Sequence, residues 1–372
     1  MFRSAFLLFL VGCSPLGPQP DLRTPDAPDT TDTSPPEING TTGGTETTAT
    51  SSTTDDDCPR GVTCIVELPF VETNSTTGAT SEFDSYLCSP NTDESGPEVV
   101  YQIELLDDGF VAASLSDLPA GVDVDVHILG DVDPDNCIDR GHWDSGALLT
   151  AGIYYVVVDS WVDGSGIAQD GEYTLDIVHT TYSEYESDGL NANVLSTALL
   201  AFDQAWANGE TWKLEYAIFD YTLPSTVPRF FVLDLRYGGM LYTELATHGS
   251  GSQDPLDLTM AADLSNVNNS HASSMGLVRA AETYYGNNGR SLRLDGLEAG
   301  FNDNDRSRAI VVHAADYATQ DYVDDYGYLG RSWGCPAIDP RVNDAIIDIL
   351  EDGALLLKYW DDPAWLTGST YL

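Results

Sequence analysis

Basic residues are scarce in this chain of 372 residues. Only 15 Lys and Arg stand against 60 Asp and Glu, which gives a formal net charge of −45 at pH 7. A surface this acidic repels a phosphate backbone, so nucleic-acid binding is disfavoured. Much of the acid is expected to be solvated surface, which keeps an exported protein soluble.

The N-terminus has one positive charge, Arg3, followed by an apolar run over residues 5–11 that is too short to span a bilayer. This pattern predicts a signal peptide over residues 1–12. The segment Leu10–Cys13 resembles a bacterial lipobox, which implies cleavage before Cys13 and acylation of its thiol. An ordinary signal peptide with an incidental cysteine is the alternative. Ser14 weakly favours the outer membrane, so the expected location is exported and lipid-anchored.

Aromatic residues are almost absent between the lipobox and Cys58, where Pro, Thr, Asp, Ser and Gly dominate. Such a composition buries too little apolar surface to offset chain entropy. We therefore expect residues 13–57 to be a lipidated cysteine followed by a disordered tether.

Cysteine is also scarce, and Cys335 is the only one after Cys137. Four cysteines between residues 58 and 137 of an exported chain imply two disulfides, with three possible connectivities. We favour Cys58 with Cys64 and Cys88 with Cys137. If Cys13 is acylated, Cys335 is the one cysteine expected to keep its thiol.

Residues 58–180 contain short alternating segments separated by Gly, Asp and Pro turns, which predicts an antiparallel β-sandwich. The clearest strands lie at residues 99–105, 122–129, 152–159 and 173–178. The segments 122–129 and 152–161 resemble bacterial pre-peptidase C-terminal domains, and this resemblance implies an accessory or binding module.

No metal or other cofactor is assigned from the sequence. The spacing Asp131-x-Asp133-x-Asp135 opens like a calcium loop but lacks the glycine at position six and the glutamate at position twelve, so a solvated turn is favoured. The histidines of this region show no spacing typical of metal ligands. They are His127, His142 and His179.

The second half of the chain predicts a mixed, mostly β domain over residues 187–372. Apolar residues recur at helical spacing over residues 190–206, and Asp339 followed by Pro340 favours another helix start. Strands are expected at residues 214–221, 229–235, 240–246 and 355–360. The predicted fold class is therefore mainly β in two domains, with a few helices in the second.

Cys335 and His313 are the candidate catalytic pair. Cys335 follows Gly334, a small residue that lets backbone amides approach the sulfur, and His313 follows the apolar run Ala309–Val312, which predicts a buried strand. A lone cysteine with a histidine elsewhere in the chain is typical of a thiol nucleophile, in which the imidazole lowers the thiol pKa. A buried cysteine near an unrelated histidine is the alternative.

His313 and the motif Ser332-x-Gly334-Cys335 resemble the signature of the L,D-transpeptidase (YkuD-type) catalytic domain. The similarity extends over roughly residues 190–360 and includes several motifs in fixed order. The matching segments are Tyr216–Ser225, Ala246–Ser252 and the run from Glu282 to Asn304. Trp333 departs from the family pattern, which has a second histidine at this position.

The resemblance implies acyl transfer through a thioester on a peptidoglycan tetrapeptide stem, with release of D-Ala. Cys335 is then the nucleophile, His313 its base, and the Ala314 carbonyl orients the imidazole. The amides of Gly334 and Cys335 are expected to stabilise the oxyanion. Covalent trapping of Cys335 by carbapenems is implied as well.

The residues expected to contact substrate lie around these motifs. They are Arg331, Ser332, Trp333, His248, Tyr285, Ser273 and Ser274, with Ser265 and Asn266 as further candidates. Basic residues are concentrated in the same region and suit a substrate carboxylate, although pairing with nearby acids is the simpler interpretation. They are Arg279, Arg290, Arg293, Arg306, Arg308 and Arg331.

Three functions stay open on the sequence alone. The favoured one is a membrane-anchored L,D-transpeptidase or its hydrolytic relative, an L,D-carboxypeptidase, with peptidoglycan stem peptides as partners. A wall-binding lipoprotein with an inactive catalytic domain is the second, because of Trp333. An unrelated cysteine peptidase is the third.

Overall fold

The structure is a computed structural model that describes residues 58–181, 185 and 189–372. The predicted signal peptide, the acylated Cys13 and the tether lie outside the described residues. Among those that are described, no helix is both long and apolar enough to cross a membrane.

The first half of the described chain forms two β-sheets, with strands numbered in chain order. The five-stranded sheet has the spatial order β1 (Val62–Cys64), β3 (Glu98–Leu105), β8 (Gly152–Ser160), β5 (Val124–Leu129) and β6 (Cys137–Gly141). The four-stranded sheet has the order β2 (Phe70–Ser75), β9 (Glu172–Thr181), β4 (Gly109–Ser116) and β7 (Asp144–Leu149). Every pairing is antiparallel except that of β1 with β3.

Alternation along these strands buries one face of each sheet in a shared core that contains Tyr101, Val126, Val158 and Leu175. The two predicted disulfides are confirmed, since Cys58 is bonded to Cys64 and Cys88 to Cys137.

The second half forms one mixed eight-stranded sheet. Its spatial order is β12 (Met240–Glu244), β11 (Phe230–Asp234), β10 (Glu215–Asp220), β17 (Leu355–Tyr359), β13 (Gly276–Gly286), β14 (Gly289–Gly296), β15 (Val311–Ala314) and β16 (Ala337–Ile338). The β10–β17 and β15–β16 pairs are parallel, and the other pairs are antiparallel. Because β16 pairs in parallel with β15 and Ala337 lies opposite His313, the residues just before β16 lie beside His313.

The structure describes four α-helices in this half of the chain. They are α1 (Ala192–Ala207), α2 (Gln320–Tyr326), α3 (Asn343–Leu350) and α4 (Pro363–Gly368). The side chain of Asn191 caps the N-terminus of α1 by accepting from the amide of Asn193. The apolar face of α1 packs into the core under the sheet, where Leu195, Leu199 and Phe202 are fully buried.

Helix α1 also joins the two halves of the molecule. The rings of Phe110 and Phe202 meet edge to face with centroids 5.3 Å apart. The Trp206 indole donates to Asp139 at 3.0 Å, and Asp203 accepts from the Leu148 amide at 2.7 Å. The sandwich therefore rests on the helix that supports the eight-stranded sheet.

The expected fold class, mainly β with a few helices, is confirmed. The helix predicted to start at Asp339–Pro340 is α3, and it begins at Asn343. The Val342 amide first donates to the Asp339 carbonyl and closes a turn. The boundary predicted between the domains falls among residues 182–188, of which the structure describes only Tyr185, so the domain limits 58–180 and 187–372 stay predictions.

Candidate active site

The turn Ser332–Cys335 is held by its own hydrogen bonds. The Ser332 hydroxyl donates to the Cys335 carbonyl at 2.7 Å and accepts from the Gly334 amide at 3.1 Å. Gly334 has a φ of +113°, and a Cβ there would lie 2.5 Å from the Ala272 carbonyl oxygen. Only glycine fits this position, because both the backbone conformation and the close approach exclude a side chain.

Two neighbouring segments support the turn. Gly249 forms a parallel bridge with Ser332, and the Ser250 amide donates to the Ser332 carbonyl at 2.8 Å. On the other side, the Ser273 hydroxyl donates to the Gly334 carbonyl at 3.2 Å and accepts from the Gly249 amide at 3.1 Å. The turn is thus tied to chain on both sides, which is the rigidity that a nucleophile needs.

His313 lies on β15 with its ring orientation fixed. Its Nδ1 donates to the Ala314 carbonyl at 2.8 Å, which is the contact expected from the resemblance. Since a carbonyl only accepts, Nδ1 carries the proton and Nε2 is left as an acceptor. Nε2 is buried and has no hydrogen-bond partner, and burial lowers the pKa of the imidazole. This is the tautomer required to take a proton from a thiol.

Strand register brings the histidine strand to the turn. His313 pairs with Ala337 in the parallel β15–β16 ladder, and its amide donates to the Pro336 carbonyl at 3.3 Å. Pro336 directly follows Cys335, which is fully buried and packs with Val311. The Cys335 Sγ lies 3.5 Å from the Ala309 carbonyl oxygen.

Cys335 is in a disulfide bond in this structure, so the expectation that it keeps its thiol is wrong for this state. A disulfide sulfur is not a nucleophile, so this form of the domain cannot begin acyl transfer at Cys335. Thiolate chemistry requires the reduced form.

His248 is a buried residue that contacts the turn Ser332–Cys335 through its backbone. It is 1% exposed, its Nδ1 accepts from Arg229 at 2.9 Å, and its Nε2 is 3.3 Å from the Gln253 side-chain oxygen. Burial, then the charge of Arg229, lowers the pKa of His248 to about 3. Its carbonyl accepts from the Ser332 amide at 3.2 Å. In this conformation His248 therefore positions the turn and has no face open to a substrate, unlike its expected binding role.

Ser273 and Ser274 are also buried, which differs from the expected contact with substrate. The Ser274 hydroxyl donates to Asp305 at 2.6 Å and accepts from Lys358 Nζ at 2.5 Å. Lys358 also contacts Asp305 directly. Arg308 donates to the Ala272 carbonyl, the atom that packs against Gly334. Residues 272–274 are therefore held by buried cations on one side and hold the turn on the other.

The exposed rim of the site contains the remaining candidates. Trp333 is half-buried and stacks on His271, with ring centroids 4.5 Å apart and planes 4° from parallel. Arg331 Nη1 is 3.5 Å from the Gln253 oxygen, and Tyr285 is 82% exposed. Of the expected substrate contacts, Arg331, Trp333 and Tyr285 are those with accessible side chains.

Most arginines of this region form ion pairs with nearby acidic residues, which was the simpler of the two interpretations of the sequence. Arg290 contacts Asp348 and Glu351, and Arg306 contacts Glu282 and Asp295. The further pairs are Arg279 with Glu210 and Arg293 with Glu282.

Sequence reasoning missed Arg229, His271, Lys358 and Asp305. Each contacts a segment that shapes the turn, yet none belongs to a short motif, so only the buried strand position of Lys358 offered a signal. The Gly334 amide is committed to Ser332, so of the two expected oxyanion donors only the Cys335 amide stays a prediction.

Residues 186–359 match the L,D-transpeptidase catalytic domain family. The matched residues include both His313 and Cys335. No curated protein matches the chain.

Solved structures are similar to parts of the chain. An L,D-transpeptidase from Mycobacterium smegmatis is 13% identical with a TM-score of 0.25, and the match covers 63% of this chain and 82% of that one. The L,D-transpeptidase LdtMt1 in complex with imipenem is 11% identical with a TM-score of 0.25, over 79% of this chain and 100% of that one. The pre-peptidase C-terminal domain of a Bacillus anthracis collagenase is 17% identical with a TM-score of 0.23, over 32% of this chain and 98% of that domain.

Proposed function

We propose that the C-terminal half is a cysteine-dependent acyltransferase that acts on peptidoglycan stem peptides. It would form cross-links as an L,D-transpeptidase or release D-Ala as an L,D-carboxypeptidase. The match to the L,D-transpeptidase catalytic domain supports the reaction class. The substrate follows from the family and not from the geometry.

The observation that carries the proposal is the protonation state of His313. Its Nδ1–H is fixed on the Ala314 carbonyl, and its buried Nε2 accepts no hydrogen bond. A buried Nε2 without a hydrogen-bond partner destabilises the folded protein by about 1–3 kcal/mol. We therefore expect this atom to have a function. Accepting the proton of a reduced Cys335 is that function.

The chemistry follows from this pair of residues. His313 Nε2 takes the thiol proton, and the thiolate of Cys335 attacks the carbonyl carbon that joins the third stem residue to D-Ala. The C–N bond breaks, and the imidazolium gives its proton to the leaving amine of D-Ala. A thioester remains, and the amine of a second stem or a water attacks it and returns the thiol. Arg331 at the rim suits the terminal carboxylate of the stem.

Reduction of Cys335 is the condition for this reaction. Full-length protein should therefore be incubated with purified disaccharide-tetrapeptide, with and without a thiol reductant, and the products read by mass spectrometry. Loss of D-Ala with dimer formation supports transfer, and loss of D-Ala alone supports hydrolysis. Both are expected only with reductant. Imipenem should add its mass to Cys335 under the same condition.

Substitutions test the assigned roles. Cys335→Ala should lower turnover by at least about 1000-fold, and His313→Gln by about 100-fold or more. Ser307→Ala is the matched control, since it removes a small polar group from an exposed position in the same half of the chain. Turnover that survives in Cys335→Ala would rule the mechanism out.

A binding-only protein is the second candidate, and Trp333 favours it. The tryptophan replaces the second histidine of the family pattern and stacks on His271 at the rim. If reduced protein binds the disaccharide-tetrapeptide but releases no D-Ala, this candidate replaces the first. For the reduced form of either candidate we propose export and anchoring through acylated Cys13, since an acylated cysteine cannot also form a disulfide. Mass analysis of the membrane fraction tests this.

A further inference from the structure

Asp123, Asp125 and His142 converge at one end of the sandwich. His142 Nδ1 is 2.9 Å from Asp125 Oδ1 and 3.4 Å from Asp123 Oδ1. One ligand atom from each of the three lies within 4.8 Å of the other two. The group therefore has the size of a first coordination sphere.

The backbone fixes all three residues without help from their side chains. Asp125 lies on β5 and pairs with Asp159 on β8. The Asp123 amide donates to the Gln169 carbonyl at 2.9 Å, and the Asp123 carbonyl accepts from the Trp161 amide at 3.0 Å. His142 lies in the tight turn between β6 and β7, where a Cβ on Gly141 would meet the Asp144 carbonyl. Such preorganisation is what a binding site requires.

Behind this group lies the carboxyl group of Glu94, and burial raises its pKa to about 9, which favours the protonated form. Glu94 is fully buried, and neither of its oxygens has a hydrogen-bond partner. Both Glu94 and Asp125 contact the same nitrogen of Arg140. Arg140 thus contacts two buried acidic groups, those of Glu94 and Asp125.

His127 continues the cluster inward. It is fully buried, its Nε2 is 3.9 Å from Glu94 Oε1, and neither ring nitrogen has a hydrogen-bond partner. Buried carboxylates and imidazoles in native proteins are paired or coordinate a metal. Three ligand atoms converge beside the buried side chains of Glu94 and His127, which have no hydrogen-bond partner, and this arrangement indicates a cation as the missing partner.

We propose that Asp123, Asp125 and His142 bind one divalent transition-metal ion of the Zn²⁺ class, with Glu94 and Arg140 behind it. His142 Nδ1 and one oxygen from each aspartate are the ligands. Arg140 holds Asp125 Oδ2, which leaves Oδ1 directed at His142. An imidazole nitrogen beside carboxylates suits zinc and related ions, whereas calcium and magnesium prefer an all-oxygen shell.

The acidic loop Asp131–Asp135 does not compete for this role. Asp131 accepts from the Asn136 amide group with both oxygens at 2.8 Å, and Asp133 caps the Asp135 amide at 2.9 Å. Its carboxylates are therefore engaged in turn formation, as a solvated turn requires. This makes Asp133→Asn a matched control for the loss of one acidic group.

The test is metal binding by full-length protein that has been treated with EDTA and dialysed. Zn²⁺ is titrated by calorimetry, and Co²⁺ by its visible absorption, which reports nitrogen and oxygen ligands. We expect one ion per chain. His142→Gln and Asp123→Asn should each weaken binding by at least about 10-fold, since even a residue that only supports a ligand contributes 10–100-fold. Asp133→Asn should bind as the original protein does.

Both test positions are partly exposed, with 48% of the His142 side chain and 37% of the Asp123 side chain accessible, so these variants should fold. Near-ultraviolet circular dichroism checks this. The proposal is overturned if the original protein shows no saturable binding of Zn²⁺ or Co²⁺, or if binding is unchanged in both variants. Binding of Ca²⁺ without a Co²⁺ spectrum would also overturn it, because the histidine would then not be a ligand.

Discussion

The two halves of the molecule bury ionisable groups in opposite ways. In the eight-stranded half, Lys358 is fully buried but contacts Asp305 and Ser274, and Arg229 donates to two carbonyls and to His248. In the sandwich, Glu94 is equally buried and its oxygens accept no hydrogen bond. Buried groups in the first case are paired within the fold, whereas in the second burial raises the pKa of Glu94 to about 9 and favours its neutral form.

The difference indicates what each half uses its charge for. Around the candidate active site, paired cations fix residues 272–274 and His248, and these fix the turn that carries Cys335. The cost of burying the charges is offset by the rigidity of that turn. In the sandwich Glu94 accepts no hydrogen bond, and burial raises its pKa and favours its protonated form over an ion pair.

The largest effect is expected from Lys358→Met, which leaves Asp305 buried with its closest cation removed. Breaking a buried pair from one side costs about 3–5 kcal/mol of the free energy of unfolding. Urea unfolding followed by tryptophan fluorescence measures the loss. Because Ser274 also loses a donor, the turnover proposed for the reduced protein should fall before the protein unfolds.

Arg306→Met is the control for that experiment. Arg306 forms its ion pairs with Glu282 and Asp295 on the surface, where 45% of its side chain is exposed. Surface pairs contribute about 0–1 kcal/mol, so this variant should unfold at nearly the original urea concentration. If the two variants lost equal stability, the distinction between buried and exposed pairs in this half would be wrong.

A smaller effect, spread over pH, is expected from His248. Burial and then the charge of Arg229 lower its pKa to about 3 in the folded protein. Between pH 6.5 and about 3, His248 is therefore protonated in the unfolded chain and neutral in the folded one. Stability falls as pH decreases through this window, by up to about 1.4 kcal/mol per pH unit from this group.

His248→Gln should remove that part of the pH dependence while an amide still faces Arg229. Unfolding free energies at pH 6.5, 5.5 and 4.5 measure the two slopes. A variant whose stability declines as steeply as that of the original protein would show that His248 is protonated in the folded state.

Much of the fold could be predicted from local pattern. Alternating apolar residues marked the sandwich strands, helical spacing marked α1, and cysteine positions marked both sandwich disulfides. The turn at Gly334 and the Ala314 carbonyl beside His313 followed from a motif within a short stretch of chain. These features depend on neighbours in sequence, which a sequence displays directly.

The rest depends on contacts between distant segments. Lys358 on a buried strand meets Asp305, and His271 meets Trp333, only because the sheet brings them together. His142 reaches Asp125 through the pairing of β5 with β6, so no spacing of metal ligands was visible. The redox state of Cys335 was inferred by counting cysteines, and counting could not exclude the disulfide that the structure contains.

The smallest change in the free energy of unfolding is expected from Glu94→Gln, measured with EDTA present. This variant tests how the sandwich, in contrast to the eight-stranded half, buries an ionisable group. Burial raises the pKa of Glu94 to about 9, so at pH 7 the amide replaces a side chain that is already neutral and keeps its shape. The free energy of unfolding should therefore change by less than about 1 kcal/mol. Urea unfolding beside Lys358→Met makes the measurement. A loss as large as that of Lys358→Met would mean that Glu94 and Arg140 form a balanced pair, and the two halves would then treat buried charge alike.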